Sequence, residues 1–219
     1  MEFDRRALDR HVEGCAETHQ KLLEIADTVT EEQCREDVAL PGWTRGHVLS
    51  HLARNAESHA HLLACAERGE IGDQYPGGPV AREHGIQSHA GDSVEDLVRA
   101  LRASIYKLEG AWAGASATAW QGSGRQASGN IILMADLVFL RWRECVIHLT
   151  DLNVGIEFDQ WPTLYVRLEL DRQMKVWAAR QPMGMTTLPS AALELPDATR
   201  LAWLVGRAHP AGLPEGPGL

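Results

Sequence analysis

The sequence predicts a mainly α-helical protein, a four-helix bundle followed by a small α+β C-terminal part, and three observations lead to this fold class. Apolar residues recur at three- and four-residue spacings in four long segments, as they do in amphipathic helices. Residues 69–91 form a long connection between the second and third segments, as in bundles with a crossover. After Gly155 the composition changes to shorter, turn-rich segments.

The predicted helices begin at recognisable start signals. Thr44 is a candidate N-cap of the second helix, and Ser93 begins a segment that resembles a capping box before the third. The connection 69–91 contains Tyr-Pro-Gly-Gly-Pro and few apolar residues, so we expect a loop there. The four helices are predicted over residues 3–28, 45–68, 93–112 and 130–152.

The segment between the third and fourth helices is rich in glycine, serine and alanine. It predicts a turn or short hairpin, because a phosphate-binding loop would need a Gly-Lys-Ser/Thr that does not follow here. Beyond Gly155 we expect a helix over 164–179, strands within 183–195 and a helix over 197–207. The chain would then consist of a bundle domain, 1–157, and a small α+β domain, 158–219.

The composition argues against several classes of protein. The formal net charge is −9, whereas a nucleic-acid-binding protein needs clustered Lys and Arg to neutralise phosphates. No run approaches the roughly 18 apolar residues of a membrane span, and the charged N-terminus lacks the apolar core of a signal peptide. The four cysteines show no CxxC spacing, so we expect buried free thiols in a reducing compartment. We therefore expect a cytoplasmic protein, and a monomer because no helix has a second apolar face.

A candidate metal site includes two residues of the fourth predicted helix. Glu144 and His148 are one helical turn apart, so their side chains point the same way. Such a pair can be a plain surface contact, but this one borders the apolar stripe of its helix, where unpaired carboxylates are rare. His51 on the second helix can meet the pair inside the bundle, and His47 replaces it if the helix register differs. We therefore predict a divalent metal held by His51, Glu144 and His148.

Two imidazoles and one carboxylate around an open position suit Zn²⁺ used as a Lewis acid, and the same donors can hold Fe²⁺ or Ni²⁺. Asp151 and Asn55 are candidates to orient the imidazoles, and solvent exposure or helix capping is the alternative role for both. Four further histidines are expected on the surface or in loops: His59, His61, His84 and His89.

Two segments, Pro41–Leu52 and Arg141–Leu152, resemble the DinB-like metal-binding bundle of the mycothiol-dependent maleylpyruvate isomerase family. Shorter segments around Arg82 and before Arg207 are also similar to this family. The resemblance implies a DinB-like four-helix bundle followed by a small α+β domain. It also implies that His51, Glu144 and His148 bind zinc, and that Arg82 and Arg207 face the active site as catalytic and cofactor-binding groups. Asn55 is grouped with the cofactor-binding residues.

The activity that the resemblance implies is a cis–trans isomerisation assisted by a low-molecular-weight thiol, mycothiol. Its zinc-activated thiolate would add to the cis double bond of maleylpyruvate, a small electrophilic carboxylate. Rotation about the resulting single bond and loss of the thiolate would give fumarylpyruvate. The two arginines would bind carboxylates and stabilise the developing enolate charge.

Two other functions stay open at this point. One is a mycothiol S-transferase, which would conjugate the thiol to another electrophile in detoxification or natural-product biosynthesis and would consume the thiol. The other is a non-catalytic metal-binding helical bundle that serves as a binding or regulatory module. Thiol consumption distinguishes the first from isomerisation, and a lack of stoichiometric metal would favour a module of the second kind.

Overall fold

The predicted mainly α fold with a four-helix bundle is confirmed in the computed structural model, which describes residues 4–180 and 187–218. The chain divides into two compact units, Met1–Val154 and Gly155–Leu219. The boundary predicted after residue 157 lies close to this division, and the independence of the two parts as domains stays a prediction.

The first unit is built on four long helices, with shorter elements in the connections. Helices α1 and α7 are in contact, as are α3 and α5; α3 also packs against α7 and α1 against α5, so α1 and α3 lie diagonally across the bundle. The apolar faces of all four meet in a common core. In chain order the helices are α1 (Arg5–Ala26), α2 (Glu31–Arg35), α3 (Arg45–Glu67), α4 (Gly78–Gln87), α5 (Val94–Gly114), α6 (Ala117–Gln121) and α7 (Met134–Asp151).

The predicted start signals lie where the helices begin. Thr44 is the N-cap of α3, and its backbone N–H donates to His47 Nδ1 at 3.1 Å. Ser93 is the N-cap of α5, and its Oγ accepts a hydrogen bond from the backbone N–H of Asp96 at 3.2 Å. Each contact satisfies a backbone donor at or near a helix start, where helix geometry supplies no acceptor.

The connection 69–91 differs from the predicted loop, because it contains α4. The helix follows Gly77, whose φ of 92° is a left-handed conformation that favours glycine, and Pro79 lies in its first turn, where a missing N–H does no harm. Ile86 is the buried residue of α4. A helix that buries so little apolar surface leaves no clear periodicity in the sequence.

The hairpin predicted before the fourth helix is present, and it shortens that helix. Strand β1 (Ser123–Arg125) pairs with the antiparallel strand β2 (Ile131–Leu133), with Ser123 opposite Leu133. The fourth helix therefore begins at Met134 rather than near residue 130. This two-stranded sheet belongs to the first unit.

The regular elements in the described residues of the second unit are all helices, joined by turns and irregular segments. A 3₁₀ turn (Phe158–Gln160) precedes α8 (Thr163–Arg180), α9 (Ser190–Leu193) and α10 (Asp197–Leu204). Strands were expected within 183–195, but residues 187–195 contain α9 instead, and 181–186 lie outside the described residues. Pro189 precedes α9 and Ser190 is its first residue, so the turn-rich composition of this segment also fits a helix start.

Across the described ranges 4–180 and 187–218, no helix is both long enough and apolar enough to span a lipid bilayer.

Candidate metal centre

The structure brings the three predicted ligands together inside the bundle. His51 Nε2 lies 2.8 Å from Glu144 Oε2, and His148 Nε2 lies 3.6 Å from the same oxygen. The imidazole rings of His51 and His148 meet edge to face, with 4.7 Å between their centroids. One donor atom from each residue lies within 4.8 Å of the other two.

Helices α3 and α7 hold these side chains in place, and Arg45 links the two helices. Arg45 begins α3, and its buried guanidinium donates to the backbone carbonyls of Leu152 at 2.6 Å and Asn153 at 3.1 Å, just beyond α7. The same guanidinium contacts Glu36 at 2.6 Å. A cation at the C-terminal end of a helix is stabilised by the unpaired carbonyls there. Sequence reasoning missed this role of Arg45.

The three side chains differ in charge at neutral pH. Burial would raise the pKa of Glu144, but hydrogen bonds with His148 and His51 outweigh it and hold the pKa well below the ordinary carboxyl value. Burial lowers the pKa of His51. Burial opposes the charge of His148 as well, yet Asp151 and Glu144 raise its pKa to about 9. Without a bound ion, the three groups would therefore be a carboxylate, a neutral imidazole and an imidazolium.

Asp151 and Trp43 surround the centre. Asp151, a buried residue, lies with Oδ2 2.8 Å from His148 Nδ1, so this nitrogen keeps a proton, and Nε2 faces Glu144. The Trp43 ring stacks near His148 at 6.4 Å and meets His51 edge-on at 5.5 Å, measured between ring centroids. Of the two predicted orienting residues, Asp151 makes the expected contact with an imidazole.

The donor set fits a divalent ion of the zinc type. Imidazole nitrogens and a carboxylate oxygen are the ligands that catalytic zinc sites use, and three protein ligands leave a position open. The second nitrogen of His148 already has the carboxylate partner that metal-bound histidines usually have. The role of His51, Glu144 and His148 as ligands stays a prediction, now with a geometry that suits it.

The other predicted site residues lie in different surroundings. Arg82 on α4 places Nη2 3.4 Å from His51 Nδ1, so it borders the centre. The Asn55 side-chain oxygen accepts a hydrogen bond from Arg141 Nη1 at 2.8 Å, and Asn55 therefore holds this arginine rather than the imidazole that we expected. Arg207 belongs to the second unit, where its Nη1 donates to the carbonyl of Val205 at 3.2 Å. Its predicted role at the active site stays a prediction.

Five other histidines lie outside the cluster of predicted ligands. His47 faces away from the centre, since its Nε2 lies 3.0 Å from Gln87 Oε1, and the alternative with His47 in place of His51 is wrong. The prediction that His59 lies on the surface is also wrong: it is 2% exposed on α3, two turns beyond His51. His59 continues the buried polar stripe of α3, a regular spacing that could have indicated its burial. Three are exposed as predicted: His61, His84 and His89.

A second buried polar cluster occupies the bundle core between α1 and α7. Donor atoms of Cys15, His19 and Cys145 lie within 4.8 Å of one another. However, Arg141 Nε donates to His19 Nε2 at 3.0 Å, and Glu109 Oε1 lies 2.8 Å from His19 Nδ1. Both imidazole nitrogens are thus engaged in hydrogen bonds, and the imidazole has no lone pair left for a metal ion. All four cysteines are buried free thiols, as predicted.

The first unit is similar to a known protein family. A family model described as the mycothiol maleylpyruvate isomerase N-terminal domain matches residues 15–153, which include α3, α4 and α7. Among curated protein sequences none matches.

Solved structures share the fold over most of the chain. The crystal structure of the mycothiol-dependent maleylpyruvate isomerase has a TM-score of 0.85 and 22% identity, with 97% of both chains covered. A histidine-to-alanine mutant of that isomerase has a TM-score of 0.84 and the same identity and coverage, 22% and 97% of both chains. YfiT from Bacillus subtilis, described as a probable metal-dependent hydrolase with an unusual four-helix bundle topology, has a TM-score of 0.56 and 15% identity and covers 69% of this chain and 88% of its own. At sequence identities of 15–22%, these similarities show a shared fold alone.

Proposed function

The chain belongs to the family defined by the mycothiol maleylpyruvate isomerase N-terminal domain, and we propose that it is a zinc- and mycothiol-dependent isomerase that converts maleylpyruvate to fumarylpyruvate. The observation that carries the proposal is the convergence of His51, Glu144 and His148 within 4.8 Å, beside the guanidinium of Arg82. This arrangement combines a three-ligand metal site with a carboxylate-binding group, which the reaction requires together.

Each residue of the centre has a distinct task. His51, Glu144 and His148 would hold the ion, and Asp151 keeps a proton on His148 Nδ1, so that Nε2 is the nitrogen that loses its proton and binds. When bound, the ion and the thiol would together supply a thiolate nucleophile at neutral pH. Reversible addition of this thiolate to a cis double bond permits rotation about the resulting single bond.

Arg82 would bind a substrate carboxylate and stabilise the enolate charge that develops on the substrate. Its Nη2 lies 3.4 Å from His51 Nδ1. An imidazole that binds a metal through Nε2 carries its proton on Nδ1, which can then no longer accept from Arg82. Metal loading would therefore release the guanidinium for the substrate.

The activity is tested by incubating the zinc-loaded protein with mycothiol and maleylpyruvate while product and free thiol are followed together. We expect fumarylpyruvate to form with no net loss of thiol. Loss of one thiol per substrate would instead identify an S-transferase, and absence of any reaction with electrophiles would leave a non-catalytic bundle. Arg82→Gln should lower the isomerisation rate by at least about tenfold.

The ligand set is tested by elemental analysis of purified protein. Wild type should contain about one zinc per chain and His148→Ala much less. His84→Ala is the matched control, because this exposed histidine lies outside the cluster. Equal zinc in wild type and His148→Ala would remove His148 from the proposed ligands.

A further inference from the structure

A cavity of about 280 Å³ lies next to the candidate metal centre, between α3 and α4. Its walls come from these two helices and from the segment 74–76. Arg82 lines the cavity, and its Nη2 is 3.4 Å from His51 Nδ1. A molecule bound in the cavity would therefore be separated from a predicted metal ligand by one guanidinium group.

The walls of this cavity contain more basic than acidic side chains. Arg54 and Arg82 line it with a single carboxylate, that of Glu57. Two other cavities of similar size, about 320 and 310 Å³, each have two arginines and two carboxylates in their walls. The first is lined by Arg99, Arg102, Asp27 and Glu95, and the second by Arg54, Arg99, Asp92 and Asp96. The cavity beside the metal centre thus carries an excess positive charge.

The two arginines of the cavity also have N–H donors available for a ligand. Arg54 Nη2 lies 3.1 Å from Glu57 Oε1, but the buried Nε of Arg54 has no acceptor among the described residues. The carboxylate of Glu83 is 3.9 Å from Arg82 Nη1, too far for a hydrogen bond. A buried donor without an acceptor costs free energy, so an acceptor from a ligand would be stabilising.

Two neutral polar side chains of the cavity, Ser58 and Gln74, already have hydrogen-bond partners. Ser58 Oγ donates to the carbonyl of Asn55 at 2.7 Å and accepts from Gln74 Nε2 at 3.2 Å. The Gln74 Oε1 atom accepts from the backbone N–H of Ala127 at 3.0 Å. The unpaired donor found in this cavity therefore belongs to a guanidinium group, and planar guanidinium groups suit carboxylates best.

We propose that this cavity binds the electrophilic substrate and that Arg54 is a specificity-determining residue, which selects small dicarboxylic acids by binding the carboxylate farther from the metal centre. Arg82, beside His51, binds the nearer carboxylate. The proposal rests on the proposed function, because it deepens the substrate side of the same site. A volume near 280 Å³ has room for a short carbon chain with a carboxylate at each end.

The experiment measures binding without turnover, using the full-length zinc-loaded protein and titration calorimetry. Succinate is the probe, since it has two carboxylates and no double bond, and propionate is the comparison with one. Arg54→Gln should weaken succinate binding by about 10-fold or more, the effect of one charge-assisted hydrogen bond. Ala81→Asp, which adds a carboxylate to the same cavity from α4, should weaken it as well.

Arg99→Gln is the matched control, because Arg99 lines the two other cavities and should leave succinate binding unchanged. Equal succinate affinity in wild type and Arg54→Gln, or no preference of wild type for succinate over propionate, would overturn the proposal. Where isomerisation is observed, Arg54→Gln should raise KM for the electrophile and leave KM for the thiol unchanged. Arg54-dependent succinate binding without any isomerisation would count against the proposed function and not against the specificity of the cavity.

Discussion

At the scale of single residues, Asp151 is the side chain that should control how well His148 binds a metal. It is buried and 2.8 Å from His148 Nδ1. Asp151→Asn keeps the shape but removes the charge that fixes this proton, so zinc affinity should fall by about 10- to 100-fold. Competition with a fluorescent chelator measures the affinity. Asp136→Asn, an exposed change on the same helix, is the control, and equal affinities of the two variants would contradict the prediction.

His59 should make the fold sensitive to acid. Burial lowers its pKa from 6.5 to about 3. As the pH falls below 6.5, the unfolded chain binds a proton at this residue while the folded protein does not, so the free energy of unfolding decreases. The decrease is at most about 1.4 kcal/mol per pH unit until the folded pKa is reached.

Urea unfolding at pH 7.5 and pH 5 checks this prediction. His59→Leu should lose less stability between the two pH values than wild type. His84→Leu, at an exposed position, should behave as wild type does. If His59→Leu and wild type lose the same free energy of unfolding, His59 does not titrate as described.

The three central residues could be predicted because their signals are local. Glu144 and His148 share one helix face, and His51 lies on a polar stripe beside an apolar one. Arg45 could not be assigned in this way. The partners of Arg45 are carbonyls about a hundred residues further along the chain, and only the assembled bundle brings them together.

At the scale of elements, the contact between α1 and α7 depends on the absence of a side chain at Gly14. A Cβ atom there would lie 2.4 Å from Cζ2 of Trp142, a buried ring whose Nε1 donates to Thr18 Oγ1 at 2.9 Å. Gly14→Ala should therefore lower the free energy of unfolding by about 1–3 kcal/mol, despite the better helix propensity of alanine.

Gly110→Ala provides the matched control for this contact. Gly110 lies inside α5, and a Cβ atom there would have no neighbour within 4 Å. The control should raise the free energy of unfolding by up to about 1 kcal/mol. Denaturant unfolding of both variants gives the comparison, and a stabilised Gly14→Ala would mean that α1 and α7 are not so close.

The long helices could be predicted from periodicity, whereas α4 and the strand β2 could not. Each long helix buries a continuous apolar face, so its sequence repeats every three to four residues. Helix α4 buries Ile86, and β2 has three residues, too few for any period to be recognised. The position of Arg82 next to His51 follows from α4, so this part of the site could be suggested by family resemblance but not by periodicity.

At the scale of the whole molecule, metal binding should stabilise the folded chain. A ligand that binds only the folded state adds about 2.7 kcal/mol when its free concentration is 100 times Kd. Zinc should therefore raise the urea midpoint of wild type, and a chelator should reverse the increase. His148→Ala should show no zinc-dependent change, and a full zinc response in that variant would place the ion elsewhere.

Arg45 has a consequence for how an ion enters and leaves. Its guanidinium forms hydrogen bonds that connect the start of α3 to the backbone beyond α7. The two helices that carry the predicted metal ligands are therefore held together without a metal ion. Stripping the ion should then yield an intact apoprotein that can be recharged, unlike small zinc fingers, which unfold. The identity of the bound ion would consequently depend on which metal ions are available to the folded apoprotein.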